Sequence, residues 1–248
     1  MARHFLELDG AKTMRTPQFA LIGRCIDEAT QEQAIAVVHG DAGLGKTFAV
    51  EHASVRVGVE SHWLTFPREP AITNIVKALL EAITKVPHRG ERFKLTNDLR
   101  VLLAEKPRLI VVDEAQQLNA RALDYLRYLH DDPATSFALI FVGGNGCWRT
   151  LSRYPMLLSR VYRRVAMTPL TEAELVNVLP RYHEIYRSTP VDLLLLVDEQ
   201  FARGNFRRWA AFTKTVTQLC AEHGRDSFDE PLARAALALL PNWTRDAA

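Results

Sequence analysis

The sequence lacks any apolar run long enough to cross a bilayer: stretches such as Leu193 to Val197 fall far short of the roughly 20 residues a spanning helix needs. It also lacks a leader-like start, because the opening Met1-Ala-Arg-His-Phe-Leu-Glu-Leu-Asp carries acids where a signal peptide has its apolar core. Cysteine is scarce. Cys25, Cys147 and Cys220 form no Cys-x-x-Cys pair, and none lies near a histidine at metal-ligand spacing, which argues against a structural zinc and fits a reducing compartment. All three read as small packing residues. These absences predict a cytoplasmic protein with no membrane partner. Excess charge is missing as well: 31 Lys and Arg against 29 Asp and Glu leave +2, so no general cationic field draws the chain to nucleic acid, and any such binding must come from local patches. Repeats and low-complexity tracts are absent too. What is present is a globular composition, 48% hydrophobic and 24% charged over 248 residues, enough for one large or two modest domains and incompatible with general disorder.

Residues 1–15 are polar and unpatterned and read as a flexible arm. From Phe19 onward, short apolar runs alternate with helical spacing. Ala34 to Val38, His62 to Phe66, Leu109 to Val112 and Phe137 to Val142 have the continuous apolar character of buried parallel strands, and Val165 to Met167 is a fifth candidate. Between them, Ile72, Ile75, Val76, Leu79, Leu80 and Ile83 recur at three- and four-residue steps, as do Leu95, Leu99, Leu102 and Leu103, then Leu123, Leu126 and Leu129. The alternation predicts an α/β core over 16–169, with a five-stranded parallel sheet covered on both faces. After Pro169 the strand signals stop. Helices are expected over 172–186, 191–202, 205–221 and 230–240, with Thr171 and Thr189 as caps for the first two, so 170–248 forms a small helical domain.

Gly40-Asp41-Ala42-Gly43-Leu44-Gly45-Lys46-Thr47 fits G-x-x-x-x-G-K-[ST], after a strand and opening a helix. Glycines let successive backbone N–H groups turn inward around a phosphate, and the helix aims its positive end at it. In that setting Lys46 neutralises the β and γ oxygens of ATP, and the Thr47 hydroxyl ligates Mg²⁺. The second element is Leu109-Ile-Val-Val-Asp113-Glu114-Ala-Gln116. An acid at the carboxyl end of a buried strand beside the phosphate loop suits Asp113 to the metal's water shell, and Glu114 is then placed to polarise a water against the γ-phosphate. Two acids favour hydrolysis over phosphoryl transfer to a small molecule.

These residues carry a family resemblance. The Asp-Glu form of the Walker B motif, a strand ending at Asn145, an arginine-rich helix before a return strand, and a helical lid with Gly204-Asn205-Phe206-Arg207 together resemble the AAA+ ATPases, over about residues 16–240. The resemblance implies that Asn145 is the sensor 1 residue, with the doubled glycine Gly143-Gly144 leaving one position of play. It implies that Arg207 is the lid's sensor 2, with Arg208 next in line and a surface arginine as the plain alternative. Arg149 to Arg164 holds five arginines and no acid. Within it Arg160, after Ser159, matches the arginine finger that serves the neighbouring subunit's ATP, and Arg163 and Arg164 are candidates for the same role. A finger in trans implies head-to-tail assembly, as a ring or a filament.

Thr16 to Ala29, the spacing to the phosphate loop, Val142-Gly-Gly-Asn145 and Ser159-Arg160 resemble the small AAA+ regulators of DNA transposition, of the phage Mu B type and of Tn7-like elements. That likeness implies ATP-dependent assembly on double-stranded DNA, recruitment of a transposase, and release by hydrolysis. Ile22-Gly-Arg24 is equally similar to a box in replication initiators and in clamp or helicase loaders, and a nucleotide-gated scaffold or signalling ATPase without DNA is a further alternative. A local basic patch is available for DNA: Lys85, Arg89, Arg92 and Lys94 stand against Glu91 in a stretch that Pro87 and Gly90 mark as a loop. An ordinary solvated loop is the other reading. The stretch shows no aromatic interleaving for base stacking, so contact is expected with the DNA backbone, independent of sequence.

Overall fold

A computed structural model of the protein describes residues 8–241. The chain divides into an α/β unit, Leu21–Ala42 with Lys46–Met167, and a helical unit made of 8–20, Gly43–Gly45 and 168–241.

The α/β unit holds the expected five parallel strands, β1 (Ile35–Gly40), β2 (Glu60–Thr65), β3 (Arg108–Asp113), β4 (Phe137–Gly143) and β5 (Val161–Met167), in the order β2-β3-β4-β1-β5. Every residue of β1 and β4 is buried, as is all of β3 except Asp113, which is why these strands read as unbroken apolar runs. Helices α1 (Pro17–Gln31), α2 (Lys46–Ser54), α3 (Ile72–Thr84), α4 (Arg92–Glu105), α5 (Ala120–Asp131), α6 (Asn145–Leu151) and the single turn α7 (Pro155–Leu158) connect them. On α3, Ile75, Val76, Leu79 and Leu80 are fully buried in the cluster that also takes in Val112 and Phe141; at roughly 1.5–3 kcal/mol for each such side chain, this face rather than helix propensity holds α3 in place.

The order of the strands locates the site. The connection leaving β1 runs toward β2 on one side, whereas the connection leaving β4 crosses β1 to reach β5 on the other. Oppositely directed connections open a crevice beyond the carboxyl ends of β1 and β4, where ligands of open parallel sheets bind. β4 lies between β3 and β1, yet the acid at the carboxyl end of β3 still reaches the loop that follows β1, as expected.

Two local expectations need correction. The arginine-rich segment is not a helix up to its return strand, because β5 begins at Val161 and already contains Arg163 and Arg164. As a sheet edge paired with β1 alone, it leaves Tyr162, Arg163 and Arg164 exposed, and so it lacks the apolar pattern of a buried strand. The basic stretch is likewise only partly a loop: α3 ends at Thr84, with Lys85 as its C-cap in the left-handed region at φ 63°, and α4 begins at Arg92, which puts Arg92 and Lys94 in its first turn.

The helical unit comprises α8 (Glu172–Tyr182), α9 (Val191–Val197), α10 (Phe206–Glu222) and α11 (Glu230–Leu239). Thr171 caps α8 through a reciprocal box with Glu174. Instead of running to 186, α8 stops at Tyr182 and a short 3-10 turn, Glu184–Tyr186, follows; α9 passes into a π turn at Asp198–Ala202. Pro190, not Thr189, is the residue at the N-cap of α9, and the Thr189 hydroxyl donates to Ile185 O. Tyr186, Trp209, Phe212 and Phe228 meet edge-to-face at 5.7–6.1 Å between centroids. Of the stretch read as an arm, 1–7 lie outside the described residues. Leu8, Ala11 and Met14 pack against the helical core, and the Lys12 N–H donates to Tyr182 O at 2.8 Å.

Candidate active site

Gly40, at φ +147°, closes β1 where an added Cβ would overlap the Met167 carbonyl of β5, so the loop leaves the sheet through a position only glycine can occupy. Lys46 opens α2 and is 8% exposed. Its ammonium donates to Gly40 O at 2.9 Å and Asp41 O at 2.7 Å, so a buried charge is held by the carbonyls of the loop it follows. Next to it, the Thr47 hydroxyl donates to Asp113 Oδ2 at 3.0 Å, joining the first turn of α2 to the end of β3 across 66 residues of sequence. A hydroxyl and a carboxylate oxygen side by side suit Mg²⁺, which takes few protein ligands and completes its shell with water and phosphate oxygens. Among the described residues no cluster of three or more His, Cys, Asp or Glu could hold a metal by itself, so an ion here would depend on the phosphates.

Glu114 follows Asp113 in the left-handed region, at φ 54° and ψ 39°, with its N–H donating to Asp113 Oδ1. A non-glycine residue there costs on the order of 1–2 kcal/mol, and strain of this kind collects at functional turns. Asn145 begins α6, directly beyond β4, and its amide donates to the Asp41 carboxylate of the phosphate loop. The structure thus brings Asp41, Lys46, Thr47, Asp113, Glu114 and Asn145 together in the crevice. Burial pushes the neighbouring Cys147 thiol up to about 12, with Lys46 pulling it down and Glu114 and Asp113 adding to the rise; this cysteine is a packing residue.

The three candidate finger arginines have different surroundings. Arg160, a third exposed, pairs with Asp131 of α5 and donates to Met156 O and Ser159 Oγ. Arg163 pairs with Glu28 at 2.6 Å and lies 4.1 Å over the Tyr162 ring. Arg164 lies 4.1 Å over the Trp148 ring and donates to His39 Nε2 at 2.9 Å.

In the helical unit, Asn205 caps α10 by accepting from the N–H groups of Arg207 and Arg208. The Arg207 N–H also donates to Gly43 O at 3.0 Å, and a Cβ on Gly43 would overlap Asn205 Oδ1. The Arg208 guanidinium turns back to Phe201 O.

Sequence reasoning missed several participants. Gln116 lies within the quoted acidic motif but had no role, and nothing local announces its contacts, which reach 28 residues away. The stack of His39, Trp148 and Arg164 joins three elements. Phe93, set between Arg92 and Lys94, is 85% exposed, so the basic stretch does carry an aromatic side chain; the signal was its placement between two cations.

Residues 28–151, half of the chain, match the family described as AAA domain. The ATP-dependent target DNA activator B of Escherichia phage D108 is 29% identical over 160 residues, covering 59% of this chain and 48% of that protein, and its namesake from Escherichia phage Mu is 27% identical over 158 residues with the same coverage. The chain spans about half the length of these curated relatives. Among solved structures, the ADP form of Aeropyrum pernix ORC2 matches with a TM-score of 0.71 at 17% identity, over 97% of this chain and 72% of that one. The Thermotoga maritima RuvB Holliday junction branch migration motor matches with 0.63 at 14%, over 92% and 70%, and at such identities the likeness is one of fold. The chain belongs to the AAA domain family, and within it is similar to the phage target DNA activators B.

Proposed function

We propose that the chain is a cytoplasmic, ATP-dependent regulator of DNA transposition that assembles head to tail on double-stranded DNA, recruits a transposase or another recombination protein, and is released when ATP is hydrolysed to ADP and phosphate. The observation that carries this reading is the meeting of Lys46, the Thr47–Asp113 pair and Glu114 in one crevice, in a chain whose curated relatives are named for ATP-dependent target DNA activation.

Each residue's part follows from its chemistry. The loop N–H groups of 40–47 bind phosphate oxygens, and Lys46 leaves the loop carbonyls to neutralise the β and γ oxygens. Thr47 supplies its hydroxyl and Asp113 a carboxylate to the metal's ligand shell. An Mg²⁺ ion held there would supply positive charge to the phosphate oxygens. Glu114 orients the attacking water and takes its proton, and Asn145 donates its amide to the γ-phosphate. Arg207 is the helical unit's candidate for the sensor 2 role, Arg208 donating to Phe201 O. Arg160 acts on the neighbouring subunit's nucleotide after exchanging Asp131 for it, which is inexpensive because exposed pairs contribute about 0–1 kcal/mol.

For DNA, support comes from the 85–94 segment. Arg92 and Lys94 sit in the first turn of α4, where cations oppose the helix dipole at roughly 0.3–1 kcal/mol each and concentrate positive potential with Arg89 and Lys85. The test is to incubate the protein with a slowly hydrolysed ATP analogue and plasmid DNA and image it, beside the variants Lys46→Ala and Glu114→Gln with ATP. Filaments on DNA with the analogue, none for Lys46→Ala, and trapped assemblies for Glu114→Gln are expected. Nucleotide-dependent assembly without DNA would replace this reading with that of a scaffold ATPase.

A further inference from the structure

Glu114 is not held by the Walker B turn alone. Gln116, half-buried in the 3-10 turn Ala115–Gln117, donates its side-chain amide to the Glu114 carboxylate, while its carbonyl oxygen accepts the Gly144 N–H at 3.1 Å. The partners fix which end of the amide is which. A carboxylate can only accept and a backbone N–H can only donate, so the reversed amide would face acceptor to acceptor and donor to donor. Gly144 is the N-cap of α6, and the next residue is Asn145, whose own amide reaches Asp41. One side chain therefore spans from the Walker B turn to the β4–α6 corner.

A second observation is that Gly143, at this corner, has no room for a side chain beside the glutamine. An added Cβ on Gly143 would overlap Gln116 Oε1, one on Gly144 would lie 3.7 Å from Nε2, and one on Gly146 would lie 3.9 Å from the Gln116 Cβ. The last two are ordinary contact distances, so it is Gly143 that must stay a glycine, since its Cβ would also press on Cys147.

We propose that Gln116 is a positioning residue that ties the Glu114 carboxylate to the corner carrying Asn145, so that the aim of the base follows the residue that meets the γ-phosphate. This rests on the reading of Glu114 as the base. A carboxylate on a left-handed turn has no packing of its own to set its rotamer, and the amide supplies the missing constraint; misplacing a reacting group by about 1 Å costs on the order of 100-fold in rate.

The experiment measures steady-state ATP hydrolysis by the full chain across pH, for wild type, Gln116→Met, Gln116→Glu, Asn145→Ala, the Gln116→Met/Asn145→Ala pair, and Glu114→Gln. Methionine fills the slot but has no amide. It should lower kcat at least ten-fold and leave the KM for ATP within two-fold, and combining it with Asn145→Ala should cost little beyond the larger single effect. Glutamate at 116 keeps an acceptor for Gly144 but, ionised, has no proton to donate to Glu114, and should lower kcat as methionine does. Wild-type kcat in either Gln116→Met or Gln116→Glu would overturn the proposal. Wild-type hydrolysis by Glu114→Gln would instead remove the reading on which it rests.

Discussion

Replacing Arg164 with alanine tests whether this arginine belongs to the fold or to the assembly. Its guanidinium lies over Trp148 and donates through Nε to His39 Nε2, and the His39 and Trp148 rings stack at 5.9 Å and 16°. Arg164 always donates, so His39 must accept at Nε2 and be neutral, with its proton on Nδ1. Burial depresses the His39 pKa, and the charges of Arg164 and Lys46 depress it further. Losing a cation–π contact of about 0.5–2 kcal/mol and a hydrogen bond of about 1 kcal/mol should destabilise the chain at pH 7.5 by roughly 1.5–3 kcal/mol. Because Arg164 is solvent-exposed, the lower half of that range is expected, a drop of about 3–8 °C in Tm for a chain of this size. The sign with pH follows from linkage. Above the ordinary histidine pKa of 6.5 both folded and unfolded chains hold His39 neutral and the contribution is whole. As pH falls below 6.5 the unfolded chain gains a proton that the folded one refuses, and stability is lost until the pH passes through the depressed folded pKa. Without Arg164 part of that depression disappears, so Arg164→Ala should cost less at pH 5.5 than at pH 7.5. His62 and His130 are also depressed by burial, but they titrate alike in both proteins and cancel in the comparison. Urea unfolding of both proteins at the two pH values is the assay. An equal loss at both would refute the coupling of Arg164 to a neutral His39, and no loss at either would return Arg164 to the finger candidates.

Arg160→Ala should bind ATP normally and fail to hydrolyse it, and mixing it with Lys46→Ala should restore activity, since an intact pocket can then face an intact finger; no recovery at any ratio would count against action in trans. Each of Lys85, Arg89, Arg92 and Lys94 changed to alanine should lower the slope of log DNA affinity against log salt by about one unit per binding subunit, whereas Phe93→Ala should weaken binding without changing the slope. A slope unchanged by all four replacements would move the DNA surface elsewhere. Gly204→Ala places a Cβ at φ +67°, overlapping Leu170 O and 2.8 Å from Pro169 Cβ, and should destabilise the chain by about 2 kcal/mol or more; a wild-type melting temperature would show that the 169–170 backbone yields.

How far the fold could be read depended on whether its causes were local. β1, β3 and β4 were legible because strands buried on both faces must be apolar at every position, and α3 and α5 because their apolar spacing matches the helical turn. The start of β5 was not, since an edge strand carries no such requirement. Strand order was equally hidden: Val112 and Phe141 look alike in sequence, and nothing in either says that β4 lies between β1 and β3. In the site, Lys46, Thr47, Asp113 and Glu114 stand at spacings their chemistry dictates, and so they could be named in advance. Gln116 is tied to Gly144 and His39 to Trp148 and Arg164, all distant in sequence, and the start of α4 at Arg92 runs against the dipole rule that would have marked it.

The edge of β5 bears on the chain's tendency to aggregate. A strand paired on one side only presents main-chain groups that a second strand could extend, the usual nucleus of insoluble aggregates. Here that edge carries Tyr162, Arg163 and Arg164, with Arg163 anchored by Glu28 and Arg164 by Trp148, so two fixed cations guard it without being free to fold away. Two such edges brought together would set like charges against one another. Exchanging both arginines for β-branched residues would keep the strand and remove its guard, and should make the chain more prone to precipitate.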